Sequence, residues 1–484
     1  MNSQTRRALI EAAVVFAASL ALFRWQVFRW GGLPDFDGHY HLRVVQWIAH
    51  QGLWADIPWL PFTVLGEKGP DHHWLWHVAL LPFAWLADAD ALAWGAAFNA
   101  AATLAVIALV MRLLGVPAAP LFALLAVSAD ALMPMRLLML RTQNVAVIYM
   151  MLAVWAMARG RTKTLAVIAF LFLESYHAAV IIAPMALIGC AVSSLAERRV
   201  IVAPAIAVAS GLTLALLVSP WFPRNIEYLM FHLFFKTPHS VLGEQMSSLV
   251  GTEWYPPGWR RLAVQAWPAH VMLAAACATL GLRRWRTDTL IAIGVAFLCL
   301  ALYWKAARFA EYYVPFAALA AGLAARDAMP AAGYGRRHAA ALAVWVILAG
   351  SVGLLGLQST KRMAPDQLAQ IGQRLNELGR PGEVVFNSSW SDFMPLVWWA
   401  DSFRYVNGLD GHYLAYRDPS RFAAWLAAGA GVLENPAAII AGGFDARFVV
   451  VARQHERLAQ QLMRAPNAAL RLESRDGWLF ELRR

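Results

Sequence analysis

The chain has 484 residues, of which 60% are apolar and only 15% charged, against roughly 45–50% and 25% for soluble globular domains; this excludes an ordinary soluble enzyme. Lys and Arg number 41 and Asp and Glu 30, for a net charge of +11, but the basic residues punctuate long apolar runs and do not form the clustered face of a nucleic-acid binder. Runs such as 91–111 and 338–357 reach the roughly 20 apolar residues that cross a bilayer, so the chain reads as a polytopic α-helical membrane protein among membrane lipids.

Arg6 and Arg7 precede an apolar run from Ala8 to Phe23. Such an arrangement also marks a signal peptide, but the many spans that follow favour an uncleaved first span. The short basic turns are Arg6/Arg7, Arg112, 159–163, 197–199, 283–286, and Arg326 with Arg336/Arg337. The positive-inside rule places all of them in the cytoplasm. Spans consistent with that run over 8–23, 91–113, 117–133, 143–158, 164–176, 178–195, 200–219, 262–281, 287–304, 309–325 and 338–357, about eleven crossings with an external C-terminus. Were the apolar segment 74–87 also to cross, every later basic turn would lie outside. Its shortness and its Trp and His content suit a helix along the interface. Two long external loops remain, 24–73 and 220–260.

Residues 1–357 thus form a transmembrane domain, and 358–484 change character. The tail carries 28 charged residues in 127, against 43 in the preceding 357. Residues 383–387, 447–452 and 477–483 read as strands, and 365–379 as a helix ending in glycine. This predicts a soluble extracytoplasmic α/β domain. Cys190, Cys277 and Cys299 fall in apolar stretches and build no disulfide framework.

The first loop places Asp35 and Asp37 two apart, with His39, His41 and Arg43 behind them. Carboxylates in this pattern bind a divalent cation or take a proton from an acceptor hydroxyl, although the same acids also serve as helix caps. Asp71, His72, His73 and His77 follow at a spacing that matches no closed zinc pattern and suits interfacial polar residues. Arg136 and Arg141, at the outer end of the third span, suggest an anionic ligand. Lys305, Arg308 and Glu311 stand at another helix mouth, where a local Arg308/Glu311 pair is the simpler reading. Glu174, Tyr176 and His177 complete a polar set on the external side. A transporter would tend to hold such groups near the bilayer midplane.

These patches, in order, resemble the GT-C superfamily of membrane glycosyltransferases, most closely the catalytic subunit of archaeal and bacterial oligosaccharyltransferases. That family's D-P-Y-Y-H-L-R is similar to DGHYHLR (37–43), its late-loop Glu to GTEWYP (251–256), its R-F-x-x-Y-x-x-P to RFAEYYVP (308–315), and its W-W-D-Y-G to SWSDFM (389–394). Its second acidic motif would fall at LRTQNVA (140–146), which has no carboxylate. The resemblance implies a sugar transferred, with inversion, from a polyprenyl phosphate or diphosphate to a protein such as a pilin, or to a lipid or surface glycan. It places the active site on the outer face of a bacterial inner membrane. Asp37, with Asp35, is the expected catalytic carboxylate; Arg308, Arg136 and Arg141 hold the donor phosphate. Glu253, His39, His41, Asp71, His72, Tyr176 and His177 face acceptor or substrate, and a divalent cation, Mg or Mn, would use Asp37 and Glu253. The competing reading is a transporter or lipid-linked-glycan flippase.

Overall fold

The computed structural model describes residues 3–66, 69–242, 250–279, 286–328, 336–359 and 363–483. Residues 283–285 of one basic turn and the side chains of Arg336 and Arg337 lie outside that description. Each of the eleven segments read as spans carries a helix. Among the described residues, five helices are long and apolar enough to cross a membrane: Ser3–Trp30, Asp88–Leu113, His177–Glu197, Thr287–Lys305 and Ala340–Gln358. Ala119–Ser128, Thr142–Ala158, Ala203–Val218 and Trp267–Ala278 are apolar but shorter.

Small side chains let these helices approach. In lipid, helix association rests on close van der Waals contact, which small residues permit. Ala96, Ala97, Ala100 and Ala101 of Asp88–Leu113 are fully buried, and this helix packs along Ser3–Trp30, with Phe16 meeting Phe98 edge-on at 5.7 Å. The helix Ala310–Ala328 is buried on all sides through Tyr313, Phe316, Ala317, Leu319 and Ala320, as befits a helix apolar all round. At its C-terminal end Arg326 pairs with Asp288 at 2.8 Å. Its N-terminal end opens on the cavity described below.

Two expectations about the first loop change. The first helix continues to Trp30, seven residues past the expected end, because Arg24 pairs with Asp90 at 2.8 Å and lies over the Trp94 ring. The loop itself contains a helix, Asp37–Gln51. Segment 74–87 breaks into a helix Trp74–Ala79 and a 3₁₀ turn Leu81–Phe83 begun by Pro82, both too short to cross.

The C-terminal part builds a five-stranded sheet from β1 (Val384–Asn387), β2 (Arg404–Tyr405), β3 (Ala446–Ala452), β4 (Ala468–Glu473) and β5 (Gly477–Leu482), in the order β2-β1-β3-β5-β4. Strand β1 runs parallel to β2 and β3, and β5 antiparallel to β3 and β4. Side chains alternate between two cores, as the period of two requires. Phe386, Val449, Val451 and Phe480 face one. Val385, Phe448, Val450 and Leu479 face the other, which they share with Tyr40, Val44, Ile48 and Trp59 of the first loop. Arg43 reinforces the junction: its Nη2 donates to the Trp398 carbonyl at 2.8 Å and its guanidinium stacks 4.3 Å from the Trp398 ring centre. The second long loop joins through Tyr228 and Tyr413, whose hydroxyls lie 3.1 Å apart. The described parts of the three segments 24–73, 220–260 and 358–483 therefore meet above one end of the bundle.

Candidate active site

A cavity of about 720 Å³ lies where those segments and the helices converge. Its charged side chains come largely from short helices, helix ends and turns. Asp37 opens the helix Asp37–Gln51, where the positive end of the helix favours a carboxylate. Gly38 lets this turn close on the bundle, since a Cβ there would stand 2.9 Å from Leu140 Cβ. Arg136 sits on the short helix Met133–Leu138, and Arg141 on the extended residue before Thr142–Ala158. Glu253 lies in the 3₁₀ turn Thr252–Trp254 and Arg308 in Ala307–Phe309, the two turns tied by the Ala307 N–H donating to the Tyr255 carbonyl at 2.9 Å.

One ionic cluster results. Arg141 Nε lies 2.7 Å from Oδ2 of both Asp35 and Asp37, and its Nη1 donates to Glu253 Oε2 at 2.8 Å. Arg136 reaches the same Glu253 oxygen at 3.0 Å and pairs with Glu311. Arg308 holds Glu253 Oε1 at 3.2 Å and stacks 4.3 Å from the Trp254 ring centre. The local Arg308/Glu311 pair is thus replaced by long-range ones, because Glu311 pairs with Arg136 and Arg308 with Glu253. Burial works to raise the Glu253 carboxyl, but Arg308, Arg141 and Arg136 outweigh it and hold the group well below the usual range. Asp35 goes the other way. Burial, with the charges of Asp37 and Glu253, lifts it to about 7 despite Arg141. Asp37 is the more open of the two, with 30% of its side chain exposed against 9% for Asp35.

The opposite wall is aromatic and imidazole-rich. His41, His72, His73, Tyr176, His177 and His232 line it. Burial foremost holds His41 and His73 well below the usual histidine range and His72 at about 3, so these rings are neutral. Lys236 closes this wall, 3.2 Å from Asp410 and over the Tyr413 ring. Burial works to lower its ammonium, but Asp410 and Tyr413 keep it charged.

Of the residues singled out in the sequence, Asp35, Asp37, His41, His72, Arg136, Arg141, Tyr176, His177, Glu253 and Arg308 share this cavity. Asp71 stands behind the wall, accepting from His77 Nδ1 at 2.7 Å. His39 turns away, packed between Phe36 and Trp398, because the helix points residues 37 and 41 inward and 39 outward. Sequence reasoning passed over His232, Lys236, Asp410 and Tyr413. Two signals were present: His232 and Lys236 are four apart in one apolar stretch, and the tetrapeptide Asp-Gly-His-Tyr occurs at both 37–40 and 410–413.

Two groups of histidines, His41/His73/His77 and His72/His73/His177, have ring nitrogens close enough to hold a metal. Mg or Mn, which take several oxygen ligands, would have to share the carboxylates of Asp35, Asp37 and Glu253 with Arg141, which bridges all three, or displace it.

No family model matches the sequence, and no characterised protein matches it by sequence. Solved structures do match. The archaeal oligosaccharyltransferase AglB from Archaeoglobus fulgidus, in complex with an inhibitory peptide and a dolichol-phosphate, aligns over 96% of this chain and 71% of its own, at 15% identity and a TM-score of 0.63. ArnT from Cupriavidus metallidurans aligns over 97% of both chains, at 15% identity and a TM-score of 0.56. The mycobacterial arabinofuranosyltransferase AftD aligns over 97% of this chain but 41% of its own, at 14% identity and a TM-score of 0.53. All three are GT-C glycosyltransferases, and the present chain has the GT-C fold.

Proposed function

We propose that this is a multi-pass membrane glycosyltransferase that moves a sugar, with inversion, from a polyprenyl phosphate or diphosphate to an extracytoplasmic protein, lipid or glycan acceptor. Residues 1–357 form its membrane domain and 358–484 an extracytoplasmic domain of a bacterial inner-membrane protein. One observation carries the reading: the carboxylates of Asp35, Asp37, Glu253 and Asp410 and the guanidiniums of Arg136, Arg141 and Arg308 face a single cavity between the helix bundle and the sheet. AglB, which carries a dolichol-phosphate, lends the donor class support.

The chemistry follows from those groups. An acceptor oxygen attacks the anomeric carbon as the bond from that carbon to the donor phosphate oxygen breaks. Asp37 takes the acceptor proton, and the leaving electron pair settles on phosphate oxygen. General-base assistance contributes about 10²–10⁴ in rate. The developing phosphate charge meets Arg136, Arg141 and Arg308, preorganised by Glu253 so that little reorganisation is needed at the moment of reaction. Guanidinium forks match phosphate oxygens in pairs. Tyr176, His41, His72 and His177 supply neutral polar surface for sugar or acceptor.

The test is direct. Purified protein with a polyprenyl-phosphate sugar and a mixture of surface-glycan and pilin acceptors releases lipid phosphate as sugar appears on an acceptor. Transbilayer movement of the intact lipid without release would establish the flippase instead.

A further inference from the structure

The structure assigns a zinc-class metal site to His41, His73 and His77, oriented by Asp71. These residues lie beside the reaction cavity and are not needed for the proton and phosphate steps proposed above. All four are at least nine-tenths buried, and ring nitrogens of the three histidines fall within 4.8 Å of one another. His73 and His77 are four apart across the start of the helix Trp74–Ala79, where the His77 N–H donates to the His73 carbonyl at 2.9 Å. Their rings thus project from one face. His41 comes from the facing helix Asp37–Gln51 and brings its Nδ1 to 2.9 Å from His77 Nε2.

Two features distinguish this from an ordinary buried cluster. Neither ring nitrogen of His73 has a hydrogen-bond partner among the described residues, a costly state for a buried polar group. A bound cation would relieve it. Asp71 completes the arrangement: its Oδ2 accepts from His77 Nδ1 at 2.7 Å, and its Oδ1 accepts from the His73 backbone N–H at 3.0 Å. The proton on Nδ1 leaves the His77 Nε2 lone pair directed at the cluster, the carboxylate–histidine–metal relation of zinc sites. Three imidazoles select zinc and its first-row neighbours over Mg or Ca. Tetrahedral zinc with bonds near 2.0–2.1 Å sets nitrogen separations of about 3.3 Å, a small opening of the 2.9 Å His41–His77 contact and within the 4.8 Å that spans the cluster. His41 would then carry its proton on Nε2. The fourth position opens toward the cavity that His41 and His73 line. Because His41 lies one helical turn after Asp37, the ion would also clamp the helix that presents that carboxylate.

The experiment uses the full chain in detergent, purified through a tag without histidines, stripped by chelator, reloaded with zinc and desalted before metal analysis. About one zinc per chain is expected, and cobalt in its place gives the intense visible bands of a four-coordinate ion. Asp71→Asn should weaken zinc binding by about 10–100-fold, His73→Ala should abolish it, and His39→Ala, on the same helix outside the cluster, should retain it. Absence of zinc from the reloaded wild-type chain, a weak six-coordinate cobalt spectrum, or equal retention by wild type and Asp71→Asn would each overturn the assignment. Should His73→Ala fail to fold, the Asp71→Asn titration and the cobalt spectrum decide.

Discussion

Arg141 Nε stands 2.7 Å from Asp37 Oδ2, so the proposed base and the proposed phosphate clamp are joined by one ion pair. At a partly buried site such a contact is stronger than at an open surface. It links the two halves of the reaction. As negative charge gathers on the leaving phosphate, Arg141 is drawn toward it, its hold on Asp37 loosens, and the carboxylate becomes a better proton acceptor when the acceptor must lose its proton.

The same contact predicts independence from hard cations. With Arg141 already between Asp35, Asp37 and Glu253, added Mg or Mn would have to displace it. Turnover measured after exhaustive dialysis should not rise when either ion is supplied at millimolar concentration. A steep rise would mean that Arg141 swings out in the working enzyme.

Arg308 tests the donor side. Its guanidinium is fixed between Glu253 and Trp254, a geometry that lysine cannot reproduce with phosphate. Arg308→Lys should raise the donor KM by about tenfold or more, while expression and thermal stability stay near wild type because a charge still faces Glu253. An unchanged donor KM would locate the phosphate elsewhere.

The membrane orientation can be read by labelling. Gln51 and Ser420 are both exposed, and the native cysteines Cys190 and Cys299 are buried in the bundle while Cys277 is partly so. Single cysteines at 51 and 420 should react with an impermeant maleimide from the same, outer face of intact cells. Labelling from opposite faces would reverse the assignment of one long loop.

The helices were legible because bilayer thickness imposes a long apolar run. The strands Val384–Asn387, Ala446–Ala452 and Gly477–Leu482 were legible as apolar clusters bounded by polar residues. By contrast β2, with two residues, and the half-exposed β4 carry little periodic signal. In the site, the likeness of 37–43 and 308–315 to the family's motifs pointed to Asp37 and Arg308, but nothing in sequence joins Lys236 to Asp410 or Arg136 to Glu311. Those pairs form only when loops some 175 residues apart fold onto one cavity. His39 misled for the opposite reason, since it lies near two site residues in sequence and on the other face of their helix.

Asp392 provides a stability test in the C-terminal part. It is buried, and one carboxyl oxygen lacks a hydrogen-bond partner among the described residues. Burial, with a lesser push from Asp476, raises its pKa to about 7. The folded state therefore binds a proton that the unfolded chain releases near pH 4. The penalty is absent below about pH 4, grows between 4 and 7, and is complete above 7, where it amounts to on the order of 4 kcal/mol. Asp392→Asn should raise the Tm relative to wild type at pH 8 and leave it nearly unchanged at pH 4. An equal effect at both values would show that hydrogen bonding, not ionisation, dominates there.

The decisive substitution distinguishes Asp37 from Asp35. Both touch Arg141, so proximity alone does not choose between them. Exposure does. Asp37 is the more open to the cavity, whereas Asp35 is buried, has an unpartnered oxygen, and is about half protonated near neutral pH. A base must be both reachable and ionised. Asp37→Asn keeps the shape and the space but cannot take the acceptor proton, so it should cut transfer by about 10²–10⁴ with donor binding retained. Asp35→Asn mimics the protonated form already present at neutral pH and should cost about tenfold or less, mainly through a looser Arg141. Single-turnover transfer and donor binding, measured on the same preparations, separate the two. Near wild-type transfer by Asp37→Asn, together with a large loss in Asp35→Asn, would move the base two residues upstream. Full activity in both would remove the carboxylates from the chemistry and with them the case for acceptor activation in this loop.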